Sequence, residues 1–162
     1  QSLGSFLRLE FFVPLGMKNT FANEEGVTGI PNRAYGYSRK GDGWVRTDQD
    51  TTSATIGDGG IYSSLNDLVL WDQALDSLSL FEKEVLTGEK PSPVYYGFGL
   101  FRKERRGLEV QYHAGSSIGF RTGFYRVPDQ KLMIVFLSNR NEGEGIKICE
   151  EVFESLGEGE GI

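Results

Sequence analysis

Apolar positions recur along this chain first at helical and later at strand spacing. Leu3, Phe6, Leu7, Leu9 and Phe11 line one side of a predicted helix over 2–13, which Pro14 ends. Leu65, Leu68, Val69, Trp71 and Leu75 predict a second helix from Leu65 to about Leu78, with those residues mainly on one side. A shorter helix is expected from Leu80 to Leu86, closed by Thr87-Gly88 with Pro91 and Pro93 beyond. From Tyr95 the period falls to two. Tyr96, Phe98, Leu100 and Arg102 alternate with Gly97, Gly99, Phe101 and Lys103, predicting one strand over 95–103. It pairs with 108–113 across a charged turn at 104–107. A second hairpin is expected between 118–127 and 131–137, turning at Val127-Pro128-Asp129-Gln130. The run Leu132 to Leu137 is continuously apolar, the pattern of a central strand covered on both faces. A closing helix over 144–156 turns Ile148, Val152, Phe153 and Leu156 inward. The fold class is α+β, an antiparallel sheet with packed helices.

Residues 18–60 lack a clear period. Within them Tyr35-Gly36-Tyr37-Ser38-Arg39 and Trp44-Val45-Arg46 predict short strands across Lys40-Gly41-Asp42-Gly43. A long irregular stretch inside a compact domain is functional or disordered. The expected organisation is a single unit: helix and loops over 1–60, helices over 61–90, sheet and closing helix over 94–156, and a frayed tail over 157–162.

Composition narrows the function classes. Apolar residues at 38% and charged residues at 25% are globular values. A net charge of −6 excludes a nucleic-acid backbone as the natural partner. Lys103, Arg105 and Arg106 form a small basic cluster, read as a solvated hairpin turn. No apolar run approaches the ~20 residues that cross a bilayer, so no membrane partner is expected. One cysteine excludes an internal disulfide, and one histidine without Cys-x-x-Cys gives no zinc ligand set. Neither metal nor cofactor is expected.

The stretch with chemistry is Tyr112-His113-Ala114-Gly115-Ser116-Ser117-Ile118-Gly119-Phe120-Arg121-Thr122-Gly123. Histidine is the side-chain type able to carry or lose charge near neutral pH, and small residues after a strand let a substrate approach the backbone. On residues alone His113 reads as a packed histidine before a catalytic one, and Arg121 as a sheet-surface cation before a substrate ligand. Asp67 and Asp72, five apart on a helix, do not share a face and read as solvated surface residues.

His113-Ala114-Gly115, Gly119-Phe120, Pro128-Asp129 and Leu137-Ser138-Asn139 resemble the C-terminal part of the serine β-lactamase-like hydrolases. That family includes class C β-lactamases, D-aminopeptidases and esterases, with a Lys-Thr-Gly or His-x-Gly triplet on an edge strand beside the active site. Pro14-Leu15-Gly16-Met17 resembles its Pro-Leu-Gly-Met turn. Asp58-Gly59-Gly60-Ile61-Tyr62-Ser63-Ser64-Leu65-Asn66-Asp67-Leu68 resembles its Gly-Gly-x-x-Ser-x-x-Asp-Leu helix start. The three occur in the family's order. The nucleophilic Ser-x-x-Lys and the Tyr-x-Asn motif are absent from this chain. Tyr62-Ser63-Ser64 and Ser64-Leu65-Asn66 fall inside the helix-start pattern, where Ser64 reads as an N-cap.

The resemblance implies a partial β-lactamase/transpeptidase-like fold, lacking the N-terminal strands and helical half. Its sheet would hold five strands, two of them from upstream, and 132–137 would lie beside one of those. Alone, it would leave an apolar edge unpaired. The opening Gln1 suits such a piece. The function implied is the C-terminal half of a serine hydrolase that forms an acyl-enzyme from a small-molecule or peptide amide or ester. The piece would be inactive by itself. His113 would orient substrate and stabilise charge, and Ser116 would supply one backbone N–H of the oxyanion hole. Gly115 would keep the strand clear, and Arg121 could bind a substrate carboxylate. Residues 18–60 would rim the cleft and be mobile without the other half. A periplasmic or secreted setting is implied, with the cytoplasm open. The alternatives are a non-catalytic ligand-binding module of the same fold and a structural domain.

Overall fold

The computed structural model describes residues 1–24, 29–48, 57–77, 94–97 and 99–158. The expected helix over 80–86 lies outside them. Helix α1 (Leu3–Leu7) starts at Ser2, whose hydroxyl accepts from Ser5 N, and runs into a wider π-helical turn over Arg8–Phe12. Pro14 has no N–H to continue the ladder, and the chain closes with Val13 N donating to Arg8 O at 2.9 Å. Strands β1 (Phe21–Ala22) and β4 (Ile61–Tyr62) form a two-residue pairing, and β2 (Tyr37–Lys40) with β3 (Gly43–Arg46) forms the expected hairpin.

Five further strands make the main sheet: β5 (Val94–Gly97), β6 (Leu100–Arg105), β7 (Leu108–Ser117), β8 (Phe120–Val127) and β9 (Leu132–Ser138). All neighbours are antiparallel, in sequence order. Three expectations change here. The single strand over 95–103 is two, because the chain reverses between Gly97 and Leu100, with Gly99 at φ +77°. The described residues therefore supply five strands to this sheet. The strand carrying His113 continues to Ser117. Among the described residues strand β9 is an end strand bonded only to β8, not central, with the unpaired edge expected for the piece alone, and Leu137 is exposed. Its apolar run reflects cover on its faces, with an open lateral edge.

Side-chain alternation sorts the sheet into two faces. Val110, Tyr125 and Val127 pack with Cys149 and Phe153 of helix α3 (Gly145–Glu158) to form the buried core. The helix comes close because Gly123 and Gly145 lack side chains: a Cβ on Gly123 would stand 2.6 Å from Gly145 O. Inward-turned residues of α3 include Cys149 and Phe153, whereas the expected Val152 and Leu156 are exposed. Arg106, at the β6–β7 turn, lies over the Phe153 ring, while Lys103 reaches Glu150 of α3. Lys103 is thus half-buried and paired, unlike the solvated cluster expected.

Helix α2 (Leu65–Ser77) covers the opposite face near Arg126. Ser64 caps it as read from sequence, its Oγ accepting from Asp67 N at 3.2 Å. The expected side is borne out in part, with Leu75 buried and Leu68 and Trp71 half-buried. Asp67, Ala74 and Leu75 are buried, while Leu65 and Val69 are exposed. Asp67 is 2% exposed and accepts from Asn19 N and Thr20 Oγ1, both at 2.7 Å. Asp72 pairs with Arg126. Neither carboxylate is a solvated surface group.

The described part of 18–60 is held to the sheet end. Tyr37 N donates to Asn139 O at 3.0 Å and Asn141 N to Tyr37 O at 3.1 Å. Gly36 and Gly119 meet so closely that a Cβ on Gly119 would stand 2.6 Å from Gly36 Cα. These bonds dock the β2–β3 hairpin where a free, mobile loop was expected.

Candidate functional site

The His113–Ser117 segment occupies the far half of β7. Strand β6 pairs with β7 only as far as Tyr112, opposite Phe101. Residues 113–117 pair with 124–120 of β8 on the other side. Among the described residues no strand flanks them on the β6 side, so the segment has an open edge inside an otherwise paired sheet. The two-residue turn between Ser117 and Phe120 makes those residues a hydrogen-bonded pair. By the alternation of antiparallel ladders, Ala114 and Ser116 then direct their N–H and C=O groups away from β8, toward the open edge.

The same alternation divides the candidate side chains. His113 and Gly115 share the face opposite α3. Ser116 and its register partner Arg121 lie on the α3 face, so the four residues do not converge as side chains. His113, Gly115 and Ser116 share β7, and Arg121 joins them only through the β7–β8 pairing. His113, Ala114 and Ser116 are exposed, and Gly115 is half-buried. Arg121 Nη1 donates to Ser117 O at 3.0 Å and to Phe120 O at 2.7 Å, clasping its own turn.

Residues missed in the sequence complete the surroundings. Tyr96 is 53% exposed, and its ring lies 4.4 Å from Phe101 and 6.1 Å from His113. Phe101 stacks on His113 at 6.0 Å. These three aromatic rings sit where β6 leaves β7. Thr122 stands opposite Gly115, and a Cβ on residue 115 would overlap Thr122 Oγ1. Gly115 thus makes room for a neighbouring hydroxyl as well as leaving the backbone bare. The only sequence signal for either group was strand alternation, which cannot name a cross-strand partner before the register is known.

At the turn beyond, Phe120 packs edge-on to Tyr62 at 6.1 Å. Arg33 donates to Tyr62 Oη at 2.7 Å and pairs with Asp48. Burial raises the Tyr62 pKa, with Arg33 opposing that shift. Arg46 lies over Tyr35 at 3.7 Å and near Asp48 at 3.7 Å. This cation–aromatic cluster fixes the hairpin tip from outside. Ser63 Oγ lies 2.8 Å from Thr20 Oγ1 and Ser64 caps α2, so each has a structural partner. Among the described residues there is no cluster of His, Cys, Asp or Glu able to hold a metal, and no helix is long and apolar enough to cross a membrane.

The chain is similar in sequence and fold to known proteins. A D-aminopeptidase of Gluconobacter oxydans is 26% identical over 97% of this chain, and one of Brucella canis is 28% identical over 86%. The chain spans about 31% and 28% of those relatives' lengths. Among solved structures, the octameric penicillin-binding protein homologue from Pyrococcus abyssi superposes with a TM-score of 0.79 at 21% identity. That match covers 96% of this chain and 37% of the homologue. The D-amino acid amidase from Ochrobactrum anthropi SV3, complexed with D-phenylalanine, gives 0.78 at 20% identity, covering 97% and 53%. These likenesses show the fold: part of a β-lactamase/penicillin-binding-protein-like architecture. The model of the Beta-lactamase family matches residues 1–149, and the chain belongs to that family.

Proposed function

We propose that this chain is the substrate-strand portion of a serine hydrolase acting on amides or esters of small amino-acid derivatives or peptides, inactive without an upstream portion. The observation that carries this reading is the open edge of β7 at 113–117, beside an exposed histidine. An extended substrate laid along that edge meets backbone donors and acceptors that no strand among the described residues has taken. The Ser116 N–H is the proposed oxyanion-hole donor, a group whose loss typically costs about 3 kcal/mol of transition-state stabilisation. Gly115 leaves the strand bare at the point of approach. His113 orients the substrate and stabilises developing charge. Arg121 contacts a substrate carboxylate only through nitrogens other than Nη1, which is committed to the turn. The relatives' names, D-aminopeptidase and D-amino acid amidase, support an amide of an amino acid as the substrate class.

The nucleophile is assigned outside this chain, because no serine here has a lysine three places on. The test is fluorophosphonate labelling of the 162-residue chain beside the same chain joined to its upstream sequence. Labelling only the joined form, at an upstream serine, is the expected result. Labelling of the isolated chain would point instead to Ser64, Ser116 or Ser117. A silent joined form that still binds amino acid amides saturably would support a non-catalytic binding module.

A further inference from the structure

Four aromatic rings stand in register across the sheet: Tyr96 of β5 opposite Phe101, Phe101 opposite Tyr112, and Tyr112 opposite Tyr125 of β8. Directly opposed residues share a face, so this row lies on the α3 face. One end is anchored, where Tyr125 is fully buried against Phe153. At the other end Tyr96 is exposed, its ring 4.4 Å from Phe101. That exposed end adjoins the open edge of β7, on the β6 side. His113, the first residue beyond the last β6–β7 pair, turns its imidazole to 6.1 Å from the Tyr96 ring. Leu100, just before Phe101, leads into the reversal toward Gly97 and closes that end of the edge.

We infer that Tyr96 and Phe101 form a subsite for an apolar side chain of a peptide substrate, carried by the second residue after the carbonyl that is attacked. The inference rests on the function proposed above and narrows its substrates to peptides that extend beyond the cleaved bond. All neighbouring strands of this sheet are antiparallel. A segment laid along the edge in the place of β6 therefore runs from the Ser117 end toward His113. The residue whose carbonyl accepts from Ser116 N–H stands opposite Ser116. The next faces Gly115, and the second faces Ala114, the other position that turns its backbone groups to this edge. Alternation puts that second side chain on the face of Ala114, which is the face of Tyr112 and Phe101. It stands two positions, or roughly 7 Å, along the line of β6 from Phe101, within reach of the exposed Tyr96 ring. Ala114 is exposed and offers only a methyl, so nothing of its own fills the space. An aromatic ring held by such a row presents a flat apolar surface suited to a second ring or a branched side chain.

The experiment uses the chain joined to its upstream sequence, as wild type, Tyr96→Ala and Tyr96→Phe, and reads kcat/KM for release of D-alanine. Substrates are D-alanyl-glycyl-phenylalanine, D-alanyl-glycyl-alanine, D-alanyl-phenylalanyl-alanine and D-alanine amide. Wild type is expected to favour phenylalanine over alanine at the second place after the cleaved bond by about ten-fold. Tyr96→Ala is expected to bring that ratio below about two-fold, and Tyr96→Phe to keep it, because the ring face and not the hydroxyl makes the contact. Moving phenylalanine to the first place should forfeit the preference. A wild-type ratio near one, or a ratio that survives Tyr96→Ala, overturns the inference. Release of D-alanine from its amide but from no peptide does so as well, and leaves the hydrolase reading in place. Release from none of the substrates overturns both.

Discussion

Arg126 Nε lies 2.7 Å from Asp72 Oδ1 where β8 meets α2, at ion-pair distance but outside hydrogen-bond angle. The guanidinium is 4% exposed, and Asp76 takes a second nitrogen. Gln111, on the adjacent strand, accepts from Arg126 Nη1 at 3.3 Å. This cluster locks α2 onto the sheet face two residues from His113. Arg126→Ala should destabilise the fold by about 3 kcal/mol or more, because it strands partly buried carboxylates. Urea unfolding checks this, and a change below about 1 kcal/mol would deny the cluster its role.

Burial raises the Asp72 pKa, outweighing the pull of Arg126 in the other direction. A carboxyl that holds its proton more tightly when folded favours the folded state at low pH. That contribution is lost as pH rises from the ordinary carboxylate range through the raised value. The stability of the wild type relative to Asp72→Asn should therefore fall over that acidic window. Paired thermal melts against pH would detect it, and a difference rising with pH would reverse the assignment.

Tyr125 is fully buried, and its hydroxyl has no partner among the described residues. Burial, the largest cause, pushes its pKa up to about 12. Removing an unsatisfied buried hydroxyl costs no hydrogen bond. Tyr125→Phe should be neutral or stabilising by up to about 1 kcal/mol. A clear destabilisation in chemical unfolding would mean that the hydroxyl is bonded to an internal water.

Gly115→Ala brings a methyl onto Thr122 Oγ1. The expected cost is about 1–3 kcal/mol, since a β-branched neighbour must leave its rotamer. Adding Thr122→Ala should recover most of the loss, which a double-mutant cycle reads directly. Additivity of the two substitutions would show that they do not touch.

His113 is exposed, so His113→Ala should leave the melting temperature nearly unchanged. In the joined hydrolase it should lower kcat/KM by about 10²-fold, a typical cost for a charge-stabilising group. Loss of stability without loss of activity would return His113 to the role of a packing residue against Phe101 and Tyr96.

The sequence by itself determined what depends on a few neighbouring residues. The Ser64 cap, the β2–β3 hairpin and the Pro128 turn were all legible, because capping and turn chemistry act within about four positions. So were the family motifs around Pro14, Gly60 and His113. Tertiary structure decided which faces are buried. Asp67 is buried because Asn19 and Thr20, 48 and 47 positions away, bring donors to it. Leu65 and Val69, apolar by type, remain exposed. The reversal between Gly97 and Leu100 left only a faint trace, the adjacent large residues Leu100 and Phe101 where alternation slips. Strand order was beyond the reach of the residue pattern, and only the family resemblance put the His113 triplet on an edge strand. Alternation reports that a strand has two faces; only the register says which residue stands opposite and where a neighbour stops.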